Sequence, residues 1–170
     1  MGSEMCIRDS FIPLEHQDRS QWDQPLIKEG VSLALASLAL GKPGPYQVQA
    51  AISALHAVSP NWKATDWQQI QQLYDVLAHI EPSPVVELNR SMAIAYGGDT
   101  VTALEMLNEL EEPLKSYQPF YVARAELHSL TGNLMLATSD YGRALQLTRN
   151  EAEKKYLESK QANLRSIEQK

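Results

Sequence analysis

The stretch GGDTVTALEMLNEL (Gly97–Leu110) returns, altered but in register, as TGNLMLATSDYGRAL (Thr131–Leu145). Gly98 and Gly132 stand 34 residues apart, as do Ala103 and Ala137, Leu107 and Tyr141, Leu110 and Ala144, and Arg90 and Arg124 upstream of each glycine. The pairs share a physical logic. Glycine can end a helix in the left-handed conformation. A small residue at 103 or 137 lets two helices approach closely. The larger residue four positions on fills the space between repeats, and Ala144 permits close packing onto the next helix.

A 34-residue helix–turn–helix period is that of the tetratricopeptide (TPR) repeat. The flanking sequence extends the pattern. Asp23 can cap a helix with Pro25 in its first turn, and GKPGP (Gly41–Pro45) stops it. Its apolar run VSLALASLAL (Val31–Leu40) is too short for the roughly 20 residues of a membrane span and reads as a buried helix. Pro45 opens a second helix. Thr65 and Gln68 form a capping-box pair for a third, whose Trp67, Ile70, Leu73, Tyr74, Leu77 and Ile80 share one face. Ser83 caps a fourth helix, Asp99 a fifth and Asn133 a seventh. A break at Glu112-Pro113 precedes the sixth, and Asn150 with Glu153 opens a polar last helix suited to cap an array. The expectation is an all-α, TPR-like helical-hairpin solenoid of about eight helices. Residues 24–165 form it, an irregular linker at 11–23 precedes it, and a disordered tail at 166–170 follows.

The chain carries 15 basic and 21 acidic residues, a net charge of −6, and one cysteine, Cys6. An acidic balance without a basic cluster argues against direct contact with nucleic acid. The four histidines fall on separate elements, and no phosphate-cradling glycine loop or nucleophile–base pattern is present. No catalytic, cofactor or metal residue is expected, and Glu111-Glu112 reads as a solvated face. Arg90 and Arg124 sit beside apolar residues, so each needs a partner if buried. Glu87, Glu126 and Asp140 are candidate carboxylates. The other reading is that both arginines bind an acidic segment in a groove with Leu88, Met92 and Val122, positions where polar substitution would alter function without unfolding. Trp22, Trp62 and Trp67 read as packing anchors.

The first ten residues, MGSEMCIRDS, have neither apolar periodicity nor a signal-peptide pattern. Read back into DNA, they resemble a transposase sequencing adapter. Met1–Ser10 is therefore read as a translated adapter artefact, with a genuine disordered N-terminus as the alternative. On the artefact reading the natural frame continues upstream of Phe11.

Several stretches in order resemble one family: HQDRSQWD (His16–Asp23), LIKEGVSLA (Leu26–Ala34), GKPGPYQVQAAISALHA (Gly41–Ala57), TDWQQIQQLYDVL (Thr65–Leu77), EPSPVVELNRSMAIA (Glu81–Ala95), ARAELHSLTGN (Ala123–Asn133) and YGRALQLTRNEAEKKYL (Tyr141–Leu157). Together they resemble the C-terminal TPR-like extension of a subgroup of extracytoplasmic-function (ECF) sigma factors, bacterial RNA polymerase initiation subunits. Lys42 and Ser91 stand where the family often has Arg and Ala. The resemblance implies that the sigma DNA-binding domains lie upstream. It implies a cytoplasmic regulatory module acting through those sigma domains, the RNA polymerase core or a small YCII-related protein. A free-standing TPR-like scaffold is the alternative, and an enzyme domain a remoter one.

Overall fold

The computed structural model describes residues 12–41 and 43–168; Met1–Phe11, on which the adapter reading falls, lies outside the described residues. The described chain is all-α, as the repeat predicts. Its helices are α1 (Gln24–Leu38), α2 (Pro45–Val58), α3 (Trp67–Ile80), α4 (Pro84–Tyr96), α5 (Thr100–Glu109), α6 (Glu111–Leu114), α7 (Gln118–Leu130), α8 (Leu134–Leu147) and α9 (Glu151–Glu168). The helices gather into two compact units, Pro13–Gly97 and Gly98 onward, divided inside the first copy of the repeat.

In the first unit α1 packs on α2, α2 on α3 and α3 on α4. Val48, Ile52, Ile70, Leu77, Val86 and Ala93 form its core, with Trp67, Leu73 and Tyr74 packed against them. The expected face of α3 is therefore the buried one except at its end, where Ile80 is exposed. In the second unit α5 packs on α7, α7 on α8 and α8 on α9. Ala103, Leu107, Phe120, Ala125, Leu127, Ala137 and Ala144 have no exposed surface, and Tyr141 almost none. The small–large–small logic of the repeat is thus realised in packing. Ala137→Leu should overpack its site and cost about 1–3 kcal/mol in urea unfolding.

Helix boundaries follow local chemistry. Asp23, Ser83 and Asp99 accept hydrogen bonds from the backbone N–H of Leu26, Val86 and Thr102. Gly98 and Gly132 take positive φ of 112° and 78°. A Cβ on Gly132 would meet nothing within 4 Å. Gly132→Ala should therefore cost only the conformational penalty of a left-handed residue, about 1–2 kcal/mol by thermal denaturation.

Several expectations need correction. The capping residue of α3 is Asp66, which accepts from Gln69 N–H, because Thr65 turns its hydroxyl back to the Asn61 carbonyl. Asn133 occupies the N-cap position without a side-chain cap, since its amide donates to the Thr131 hydroxyl. Asn150 does cap α9, yet Glu153 accepts from Thr148 rather than closing a box. The break at Glu112-Pro113 is a further helical turn, α6, because proline is tolerated in a first turn. The 11–23 linker contains two 3-10 turns and a buried Arg19. The 166–170 tail is helical through Glu168. The largest departure is α1. It is not a buried helix, and Ala34 is its one buried residue.

Candidate functional site

The repeat places Arg124 and Arg90 at equivalent positions on α7 and α4, and their surroundings have diverged. Arg124 is 8% exposed. Its Nε and Nη2 donate to the two carboxylate oxygens of Asp140, each at 2.8 Å, and Nη1 donates to Glu111 at 3.0 Å. The guanidinium also lies over the Phe120 ring at 4.9 Å. The fork to Asp140 raises the Arg124 pKa, against the opposing effect of burial. The same arginine holds the Glu111 carboxyl below its ordinary range, so Glu111 is not merely a solvated residue. His128, one turn along α7, has Nε2 4.0 Å from Asp140. Burial lowers its pKa, Asp140 opposes that and Arg124 adds to it. Every polar nitrogen of Arg124 is engaged, so it holds the second unit together and offers nothing to a ligand.

Arg90 is different. The residue 34 positions before Asp140 is Met106, so the repeat supplies it no counterpart carboxylate. Arg90 turns instead to α3, donating from Nε to Asp75 at 2.6 Å, and to Glu87 on its own helix at 3.2 Å. Both bonds are half-exposed. Asp75, Ala78, His79, Glu87 and Arg90 line an open cleft of about 480 Å³ in the first unit. His79 Nδ1 lies 2.8 Å from the Asp75 carbonyl. Two carboxylates face one guanidinium here. The local balance disfavours the acidic segment of the alternative reading and suits a basic or neutral polar partner.

The remaining candidates separate. Leu88 is 3% exposed and belongs to the interior, because the face of α4 that presents Arg90 is not the face that presents Leu88. Polar substitution there would unfold rather than probe. Met92 and Val122 are half-buried. Of the anticipated carboxylates, Glu87 and Asp140 pair with the arginines, whereas Glu126 lies 3.7 Å from Lys160. Asp75 and Glu111 are absent from the anticipated carboxylates, since each binds its arginine from another helix and nothing in the sequence pairs the two. Arg19 was missed too. It donates to the carbonyls of His56 and Ser59 at the end of α2, 2.8 Å each, and lies over Trp22. Trp62 and Trp67 pack against each other, Tyr96 and His56, as packing anchors do. Among the described residues no group of His, Cys, Asp and Glu could hold a metal ion, and no helix is long and apolar enough to cross a membrane.

No family model matches the chain, and no solved structure matches it. Among curated proteins, it is 37% identical over 148 residues to an uncharacterized protein of Rhizobium meliloti (strain 1021). The match takes in 87% of this chain and 35% of that protein, so the chain spans about a third of the length of the curated relative it matches.

Proposed function

We propose that this chain is the regulatory helical C-terminal part of an ECF-type RNA polymerase sigma factor, a cytoplasmic protein-interaction module without DNA-reading or catalytic residues of its own. The observation that carries the reading is the ordered series of stretches from His16 to Leu157 that resembles the TPR-like extension of that family. The greater length of the Rhizobium relative accords with a module joined to further domains. So does the all-helical hairpin architecture, which serves protein contacts in repeat proteins generally. The partners of the reading are the sigma domains of the same polypeptide, the RNA polymerase core and a small YCII-related protein. The half-exposed cleft around Arg90 is the surface best suited to meet one of them.

The test uses the complete gene. The frame upstream of Phe11 is sequenced from an independent clone. The full-length product is then assayed with RNA polymerase core for run-off transcription, with and without residues 12–168. The expected result is a sigma-type helix–turn–helix upstream, and promoter output that changes several-fold when the helical part is removed or when Arg90→Ala is introduced. A native start codon next to Phe11, with no sigma domain encoded, would overturn the reading in favour of a free-standing scaffold.

A further inference from the structure

The uncovered flank of α1 carries the next step. One side of this helix, Ile27, Val31, Ala34 and Leu38, meets α2 at the three-and-four spacing of a packed face. On another line stand Leu26 and Leu33, continued by Leu40 in the turn just past the end of α1, and they are 64%, 64% and 79% exposed; Leu35, 63% exposed, stands on the other side of the packed face. Between them on the same line lie Gly30 and Ser37. A Cβ at Gly30 would meet nothing within 4 Å. The line thus alternates leucine ridges with shallow notches, the relief into which the ridges of a second helix fit. No charged residue occurs from Gly30 to Leu40.

A helix that simply ends a stack looks otherwise. In the second unit α9 buries Leu157 and Leu164 and exposes Lys154, Lys155, Glu158, Asn163 and Arg165. A polar outer face of that kind is what a terminal repeat needs for solubility. α1 also exposes Gln24, Lys28, Glu29 and Ser32 on another side, but its line of leucines carries no charge, and leucines exposed in a row mark a contact surface.

We propose that the Leu26–Leu33–Leu40 flank of α1 seats an amphipathic helix, uncharged on its docking side, that belongs to another part of the same, longer polypeptide. Two observations choose this occupant. The Rhizobium relative has 65% of its length beyond the match, so a protein of this kind has ample chain to supply such a helix. And three leucines on and just past one helix fall well short of the roughly 800 Å² per partner that a stable intermolecular interface buries. A tethered helix needs no such area, because linkage raises its effective concentration to the millimolar range. The proposal requires only that the chain be part of a larger protein, and so stands apart from the sigma-factor reading.

The experiment is made on the complete gene product, with a photo-crosslinking benzoylphenylalanine at position 33 and, separately, at position 28 on the polar side of α1. Cross-linked peptides are identified by mass spectrometry at two protein concentrations a hundredfold apart. The expected result is an intramolecular cross-link from position 33 to a helical peptide outside residues 12–168. It should be independent of concentration and at least tenfold stronger than from position 28. Position 26 serves in place of 33 if that variant does not fold. A cross-link to a second copy or to a different protein, or equal labelling from positions 33 and 28, would overturn the proposal. A cross-link in cis to a segment that is not a sigma domain upholds this inference while counting against the proposed function.

Discussion

Asp140→Ala should destabilise the chain by about 3–5 kcal/mol, the largest single-residue loss anticipated, because it strips a buried guanidinium of its main counter-charge. Asp140 supplies both acceptors of the fork to Arg124, and the two side chains are 8% and 10% exposed. What remains is Glu111, at 3.0 Å but itself 58% exposed and therefore solvent-screened. The aromatic face of Phe120 does not replace a carboxylate, since such a contact, about 2 kcal/mol when desolvated, supplies no hydrogen-bond acceptor for the freed N–H groups. The penalty belongs to the orphaned charge and not to the pair as such. The double variant Arg124→Met, Asp140→Leu should therefore lose much less than Asp140→Ala alone. Urea unfolding followed by far-ultraviolet circular dichroism, analysed as a double-mutant cycle, measures both. A loss below about 1 kcal/mol for Asp140→Ala would show that Arg124 finds water or another partner.

The sequence carried the helices because their ends are written locally. Asp, Ser, Gly and Pro act within a turn of where they stand, and the 34-residue period ties Gly98 to Gly132 and Ala103 to Ala137 without any knowledge of packing. Where two local candidates compete the sequence is ambiguous: Thr65 and Asp66 are both good caps, and only the folded loop engages one hydroxyl elsewhere. The site was less legible, because ion pairs are made across helices. Nothing near Arg90 in sequence announces Asp75, fifteen residues earlier. The repeat itself misled, by implying that equivalent arginines have equivalent surroundings. The first copy has Met106 where the later copy has Asp140, and its arginine is half-exposed at a cleft and not buried in a carboxylate fork. The exposure of α1 was illegible for a different reason. A run such as VSLALASLAL reports that a helix is apolar on several sides, but not that the same chain covers them.

Acid should weaken the first unit through His56. Burial chiefly, with the positive charge of Arg19 second, pushes the His56 pKa down to about 4 from its ordinary 6.5. The folded state therefore prefers the neutral ring, packed against Trp62 and Trp67. Above pH 6.5 the ring is neutral in both states and the group has no effect on stability. Between pH 6.5 and 4 the unfolded chain binds a proton there that the folded chain refuses, so stability falls as pH is lowered through that window. The slope approaches 1.4 kcal/mol per pH unit, for a total of about 3 kcal/mol. Below pH 4 the loss is complete. The lowered carboxyls of Asp18, Asp99 and Glu111 act in a separate range, because stability from a depressed carboxylate is lost only as pH falls from its ordinary value near 4. His128, also lowered, contributes in the same direction as His56. It belongs to the second unit, whereas all three tryptophans lie in the first. Tryptophan fluorescence during urea unfolding at pH 7 and at pH 4.5 therefore reports on the unit that holds His56. His56→Phe, which keeps a flat ring against both indoles, should remove most of the difference between the two pH values. If that variant loses as much stability on acidification as the parent, the acid sensitivity of this unit has another source and His56 is not held neutral.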